Sequence, residues 1–236
     1  MFQSFTSTSN PEMGPERLAE LRKVMDKAGV TAFLVPHADE HQNEYLPERA
    51  ERLAWLTGFS GSAGFAIATL SDCYVFVDGR YTLQVREQTD PDAFTPESLI
   101  DNPPSAWLAK NTSTEDVIAY DPWLITAKQL ETFEKSAAKS GAKLKPVANL
   151  IDQIWLDQPD APLGSLKLHP ENYAGKSAQA KIQNIQSKIT EQSCELCLLT
   201  DPASLAWLFN IRGSDVVHNP LALGFAIVPT SAKPIL

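Results

Sequence analysis

Several short strings in this sequence hold residue types that could do chemistry, and each depends on the element that carries it. His37-Ala38-Asp39-Glu40-His41 has two histidines at i and i+4 with a glutamate beside them. On a helix, that spacing can hold a zinc ion and place a base next to its bound water. Here the string follows an apolar run closed by Pro36 and no third ligand can be nominated, so it reads as a polar loop at a strand end. Cys194-Glu195-Leu196-Cys197 is a CxxC pair that ends a helix and enters a strand, the inverse of a redox motif, which follows a strand and opens a helix. No second pair completes a four-cysteine zinc site, and buried small apolar residues are the better account. Gly175-Lys176-Ser177 matches the end of a phosphate-binding loop, but Pro170 stands where that loop needs glycine. Gly58, Gly61 and Gly64 precede a strand, the wrong order for a dinucleotide fingerprint, and instead permit tight turns and close backbone approach. Asp78-Gly79-Arg80-Tyr81 differs, because an Asp-Gly turn after a strand sets the Arg80 guanidinium where ligand-facing residues collect. The alternative is a surface Asp-Arg pair.

The elements that must position these residues follow from periodicity. Leu18, Leu21, Met25 and Ala28 recur at helical spacing between Pro15 and Gly29, which suit a helix start and a left-handed stop. Thr31 to Val35 predicts a strand, and Pro47 to Leu56 returns to helical spacing. Phe65 to Thr69 and Tyr74 to Val77 form a hairpin. Leu83 to Glu87 is a short helix, Val117 to Tyr120 a strand, Thr126 the cap of a helix reaching Gly141, and Leu150 to Leu156 a last short helix. Asp157 to Pro170 is rich in Pro, Asp and Gly and predicts an irregular link, so domains of 1–160 and 161–236 are expected. Beyond it, Lys176 to Thr190 is helical and Leu196 to Leu199 is a strand.

Composition excludes several function classes. The 236 residues carry 20 Lys plus Arg against 29 Asp plus Glu, a formal net charge of -9. An acidic chain without a basic cluster lacks the cations that meet phosphates, so neither nucleic acid nor an anionic membrane is an expected partner. The longest apolar run, Leu221 to Val228, is too short to span a bilayer, and the first ten residues lack a signal-peptide pattern. Three cysteines do not make a disulfide framework and point to a reducing, cytoplasmic setting.

An internal repeat organises the whole. Leu53-Ala54-Trp55-Leu56 returns as Leu205-Ala206-Trp207-Leu208, Gly61-Ser62 as Gly213-Ser214, and Gly64-Phe65-Ala66-Ile67 as Gly224-Phe225-Ala226-Ile227. Matched strings in the same order imply a duplicated α/β lobe, with Trp55 superposing on Trp207 and Phe65 on Phe225. Leu53 to Gly64 spans 11 positions and Leu205 to Gly224 spans 19, so the second copy carries an insertion around Arg212 to Pro220. The second copy is expected to be incomplete, and the chain to be a fragment of a longer protein, since a half-built sheet leaves edges uncovered.

The runs Glu44-Tyr45, Gly58 to Ile67, Asp78 to Tyr81, Ile154-Trp155 and Leu205 to Pro220 resemble the amino-terminal half of the large cytosolic-type Xaa-Pro aminopeptidases, over nearly the whole chain. The resemblance implies an α/β fold of two tandem creatinase/prolidase amino-terminal-type lobes, each a mixed β-sheet flanked by helices, the second truncated. It implies a pita-bread catalytic domain absent from this chain, where two Mn ions and their ligands would lie. This chain would then hold no catalytic residue, metal ligand or cofactor of its own and be inactive alone. Proline-containing peptides and a homodimer are the implied partners. Arg80 matches a peptide-contacting arginine, while Asp215 and His218 match a second-lobe loop expected to approach the catalytic cleft of its own or a partner subunit. A stand-alone dimerisation or peptide-binding module is the alternative. A creatinase-like enzyme would have one such lobe, not two.

Overall fold

The computed structural model describes residues 9–236, which divide into two units. The first takes in residues up to Asp39 together with Ala50–Gln158, and the second holds Glu40–Arg49 with Pro159–Leu236.

In the first unit, α1 (Gly14–Ala28) buries Leu18, Leu21 and Met25 on one face and stops at Gly29, whose φ of 64° lets its N–H reach the carbonyls of Asp26 and Met25. Then come β1 (Ala32–Pro36), α2 (Arg52–Thr57), the hairpin β2 (Gly64–Thr69) and β3 (Cys73–Val77), α3 (Gln84–Gln88), β4 (Thr95–Ser98), α4 (Pro104–Asn111), β5 (Val117–Tyr120), α5 (Ala127–Ser140) and β6 (Lys143–Pro146). The strands form one mixed sheet in the order β4-β3-β2-β1-β5-β6, with β1 antiparallel to β2 and parallel to β5. Every residue of β1 is buried, as the apolar run requires of a central strand covered on both faces. Phe33 and Val35 join the core under α1 and α2, whereas Ala32 and Leu34 join Trp107 and Leu108 of α4 and Phe133 and Ala137 of α5. The period of two thus sends alternate residues to opposite layers. Thr126 opens α5 with a full capping box, its hydroxyl accepting from the Gln129 N–H while Gln129 accepts from the Thr126 N–H.

The second unit contains β7 (Lys167–Leu168), α6 (Glu171–Ala174), α7 (Ala178–Glu191), β8 (Leu196–Leu199), α8 (Pro202–Phe209), β9 (Ile211–Arg212) and β10 (Ala226–Pro229). Ser177 caps α7, and Asp201 caps α8 by accepting from the Ala203 and Ser204 N–H groups. The Ser204 hydroxyl also donates to Asp201, and these hydrogen bonds hold its carboxyl below the usual carboxylate range. β8 pairs antiparallel with β10.

The duplication is visible in topology and register. Helix, strand, LAWL helix and returning antiparallel strand follow in the same order in both units, with Ala66 opposite Val35 and Ala226 opposite Leu199. A repeated cation marks both tryptophans. Arg17 of α1 donates to the Trp55 carbonyl at 2.5 Å and lies 4.5 Å from that indole, and Lys181 of α7 donates to the Trp207 carbonyl at 2.9 Å and lies 4.7 Å from its indole. Each satisfies a carbonyl near a helix C-terminus while stacking on a ring.

Several expectations need correction. Pro47 to Leu56 is a 3-10 turn at Glu48–Ala50 followed by α2, and the helix expected from Leu150 to Leu156 is only a 3-10 turn at Ile151–Gln153. The irregular link contains β7, which pairs with β9. Phe65 and Phe225 differ in setting, at 7% and 38% exposed, since Phe65 packs against Phe133 of α5. In the second unit the sheet face that α4 and α5 cover in the first is open: Leu34 is 1% exposed and its counterpart Leu198 is 58% exposed.

Candidate functional site

Arg80 sits where β3 runs out, in a turn that Asp78 organises by accepting the Arg80 N–H at 2.9 Å. The same carboxylate receives the guanidinium, Nε at 3.1 Å and Nη2 at 2.8 Å. Hydrogen bonds from the Arg80 side chain, then from its backbone N–H, hold Asp78 below the usual carboxylate range. The Arg80 side chain is 61% exposed and lies over the Tyr81 ring at 5.0 Å. Tyr81 anchors the turn in two ways. Its hydroxyl meets the Ser62 hydroxyl at 3.0 Å and accepts the Ser62 N–H, and its ring stands edge-on to Phe59 at 5.6 Å. The glycine-rich loop and the Asp-Gly-Arg turn are therefore one packed assembly. Beside it a cleft of about 470 Å³ is lined by Asp78, Thr82, Arg86, Glu97, Ser98 and Asp101.

Asp215 and His218 share one loop of the second unit. Asp215 accepts the Gly164 N–H at 2.7 Å on one oxygen and the Leu223 N–H at 2.8 Å on the other. The Gly213 N–H to the Pro220 carbonyl and the Asp215 N–H to the Leu221 carbonyl tie the two arms, and Val216 bridges to Asn219. His218 stands exposed at the tip with φ of 63°, a left-handed backbone uncommon for a residue with a side chain. Asp215 is thus the fastener and His218 the group presented.

The His37 to His41 string is split between the units, and it is not the solvated loop its polarity suggests. Asp39, the last residue of this stretch in the first unit, is buried, and so is His41, which lies in Glu40–Arg49 of the second. His41 Nδ1 is 2.8 Å from the Thr200 carbonyl and must donate to it, and its ring lies 4.6 Å from Phe225. His37 keeps a longer contact, 3.9 Å, with Glu51, whose carboxyl burial pushes above its ordinary value against the opposing pull of His37. Sequence reasoning missed both attachments, because contacts between residues distant in the chain leave no local pattern. The cysteines are free; burial pushes the Cys73 thiol up to about 12, while Cys194 is exposed and Cys197 half-buried.

Two models of the creatinase/prolidase N-terminal domain match this chain, one over residues 17–154 and the other over residues 157–236. The chain belongs to the creatinase/prolidase amino-terminal domain family. Both lobes of the repeat are thus copies of one family domain, which accounts for the shared register of β1 with β2 and β8 with β10. Among curated relatives, a probable Xaa-Pro aminopeptidase P of Neosartorya fischeri is 34% identical over 92% of this chain and 34% of its own length. One from Ajellomyces dermatitidis is 35% identical over 93% of this chain and 37% of its own. The chain therefore spans about a third of the length of these relatives. The X-prolyl aminopeptidase of Caenorhabditis elegans, described as a cytosolic enzyme with a di-nuclear active site, matches with a TM-score of 0.85 at 28% identity, over 92% of this chain and 37% of that one.

A dinuclear centre needs several carboxylates and histidines converging on the ions. Among the described residues no group of three or more His, Cys, Asp and Glu converges to hold a metal, so these residues do not fit such a centre. Among them, too, no helix is long and apolar enough to cross a membrane.

Proposed function

We propose that this chain is the non-catalytic amino-terminal part of a dimetal Xaa-Pro aminopeptidase, an enzyme that removes the amino-terminal residue preceding proline from peptides. The observation that carries the reading is similarity to Xaa-Pro aminopeptidases running through both lobes, at 34% identity over 92% of the chain in one relative and a TM-score of 0.85 in another. The manganese ions and their ligands belong to a further domain in this reading, and the protein works as a cytoplasmic homodimer without nucleic-acid or membrane partners. The cytosolic description of the nematode enzyme and the three free thiols support the compartment. Arg80 offers a directional fork to a peptide carbonyl or carboxylate, His218 reaches the peptide from its loop tip, and Asp215 acts by fastening that loop. The test is to express the whole reading frame and assay an Xaa-Pro peptide with manganese. Release of the first residue is expected, and a full-length product that leaves the peptide intact would overturn the reading.

Arg80→Lys in that full-length protein is expected to lower kcat/KM roughly 10- to 150-fold, the equivalent of about 1.5–3 kcal/mol for a charge-assisted hydrogen bond that an ammonium cannot reproduce. Folding should be nearly unchanged, since exposed ion pairs are worth about 0–1 kcal/mol. Kinetics and thermal melting on one preparation read both quantities. Unaltered kcat/KM would make Arg80 only the surface partner of Asp78.

A further inference from the structure

The two copies of the fold differ at one interior position. Running the repeat on from the LAWL strings sets Asn210 against Gly58 and Ile211 against Phe59. The match is structural too: each helix ends in a left-handed residue, Gly58 at φ 88° and Asn210 at φ 50°, that donates its N–H to the carbonyl four residues back, Ala54 or Ala206. In the first unit the ring of Phe59 is fully buried and fills the space beside Leu53, Gly61 and Gly64. A Cβ added at Gly64 would lie 2.6 Å from a Leu53 methyl and 2.8 Å from the Phe59 ring. In the second unit a Cβ at Gly224 would find nothing nearer than a Leu205 methyl at 3.9 Å. The space is hollow there. A pocket of about 180 Å³ is lined by Leu205, Ile211, Ala222, Leu223, Gly224 and Phe225, with the exposed Leu166 and Leu236 at its rim.

The lining side chains are all apolar, and the pocket opens to solvent past Leu166, Phe225 and Leu236, which are 56%, 38% and 59% exposed. Leu, Ile and Phe walls enclosing about 150 Å³ are enough to hold a benzene-sized ring. We propose that the second lobe carries a binding site for one small uncharged aromatic ring, in the place that Phe59 occupies in the first lobe. The ligand class is set by size and by the apolar walls: a single ring fits, whereas a charged or strongly polar group would lose its hydration without a partner. This site stands apart from the peptidase reading and holds or fails independently of it.

Toluene titrated into the methyl-labelled 236-residue chain tests the site by NMR. Saturable shifts are expected at the methyls of Leu205, Ile211 and Leu223, with Leu53 unmoved because Phe59 already fills its side. Ile211→Phe should supply the missing ring, abolish the shifts and raise Tm. Where that variant fails to fold, Gly224→Val blocks the same space from the other wall and should also abolish them. Absence of saturable shifts in the unsubstituted chain, equal shifts at Leu53, or shifts that persist in a folded blocking variant would overturn the proposal.

Discussion

Replacing Phe59 with alanine is expected to lower stability by about 3–5 kcal/mol, the range for deleting a buried aromatic ring. The ring is fully buried among Leu53, Leu56 and the core under α1 and α2, so its removal costs both its burial and a cavity that Gly61 and Gly64 cannot fill. It also takes away the edge-on support of Tyr81, whose hydroxyl holds Ser62, so the Arg80 turn should loosen. Urea unfolding followed by circular dichroism reads the first effect, and amide exchange at Ser62 and Arg80 reads the second. A denaturation midpoint equal to that of the unsubstituted chain would contradict the packing described.

Gly64→Ala is expected to destabilise by about 1–3 kcal/mol through overpacking, because the methyl would meet Leu53 and Phe59 inside contact distance. Gly224→Ala, the same change at the matching position, should stay within about 0.5 kcal/mol, as ordinary substitutions without a clash do. Leu53 and Phe59 both press on Gly64, so Gly64→Ala combined with Phe59→Ala should cost less than the two single changes added together. Equal losses from Gly64→Ala and Gly224→Ala in the same urea series would show that the two lobes pack alike at this point, contrary to the structure.

What could be read from the sequence was set by strong local signals. β1, β2, β3 and β5 are apolar runs between turn residues, and α1, α5 and α7 carry both periodicity and caps, so their positions were legible to within a few residues. The strands β4 and β6, TPES and KLKP, are sheet edges with no buried residue, and a strand held by pairing at an edge needs no apolar pattern. α4 opens on Pro103-Pro104, a pair that reads as a turn until its N1 role is seen. At the candidate site, the Asp-Gly-Arg turn was legible because the Asx turn is local. The fastening of Asp215 to Gly164, 51 residues away, was not, and neither was the burial of His41 against Phe225, since both depend on long-range packing that leaves no local pattern. The LAWL repeat was legible as a string. Its accompanying cations, Arg17 and Lys181, were not, because one is an arginine and the other a lysine at different distances from their tryptophans.

On the proposed function, the two creatinase/prolidase amino-terminal lobes position a peptide for a catalytic centre in a further domain. The most direct test is an Xaa-Pro peptide hydrolysis assay on the purified 236-residue chain, with and without added manganese. No release of the first residue above the buffer rate is predicted in either condition, because activating water between two metals requires a set of converging ligands that is not found among the described residues. Manganese-stimulated cleavage that co-purifies with the folded chain would contradict the account.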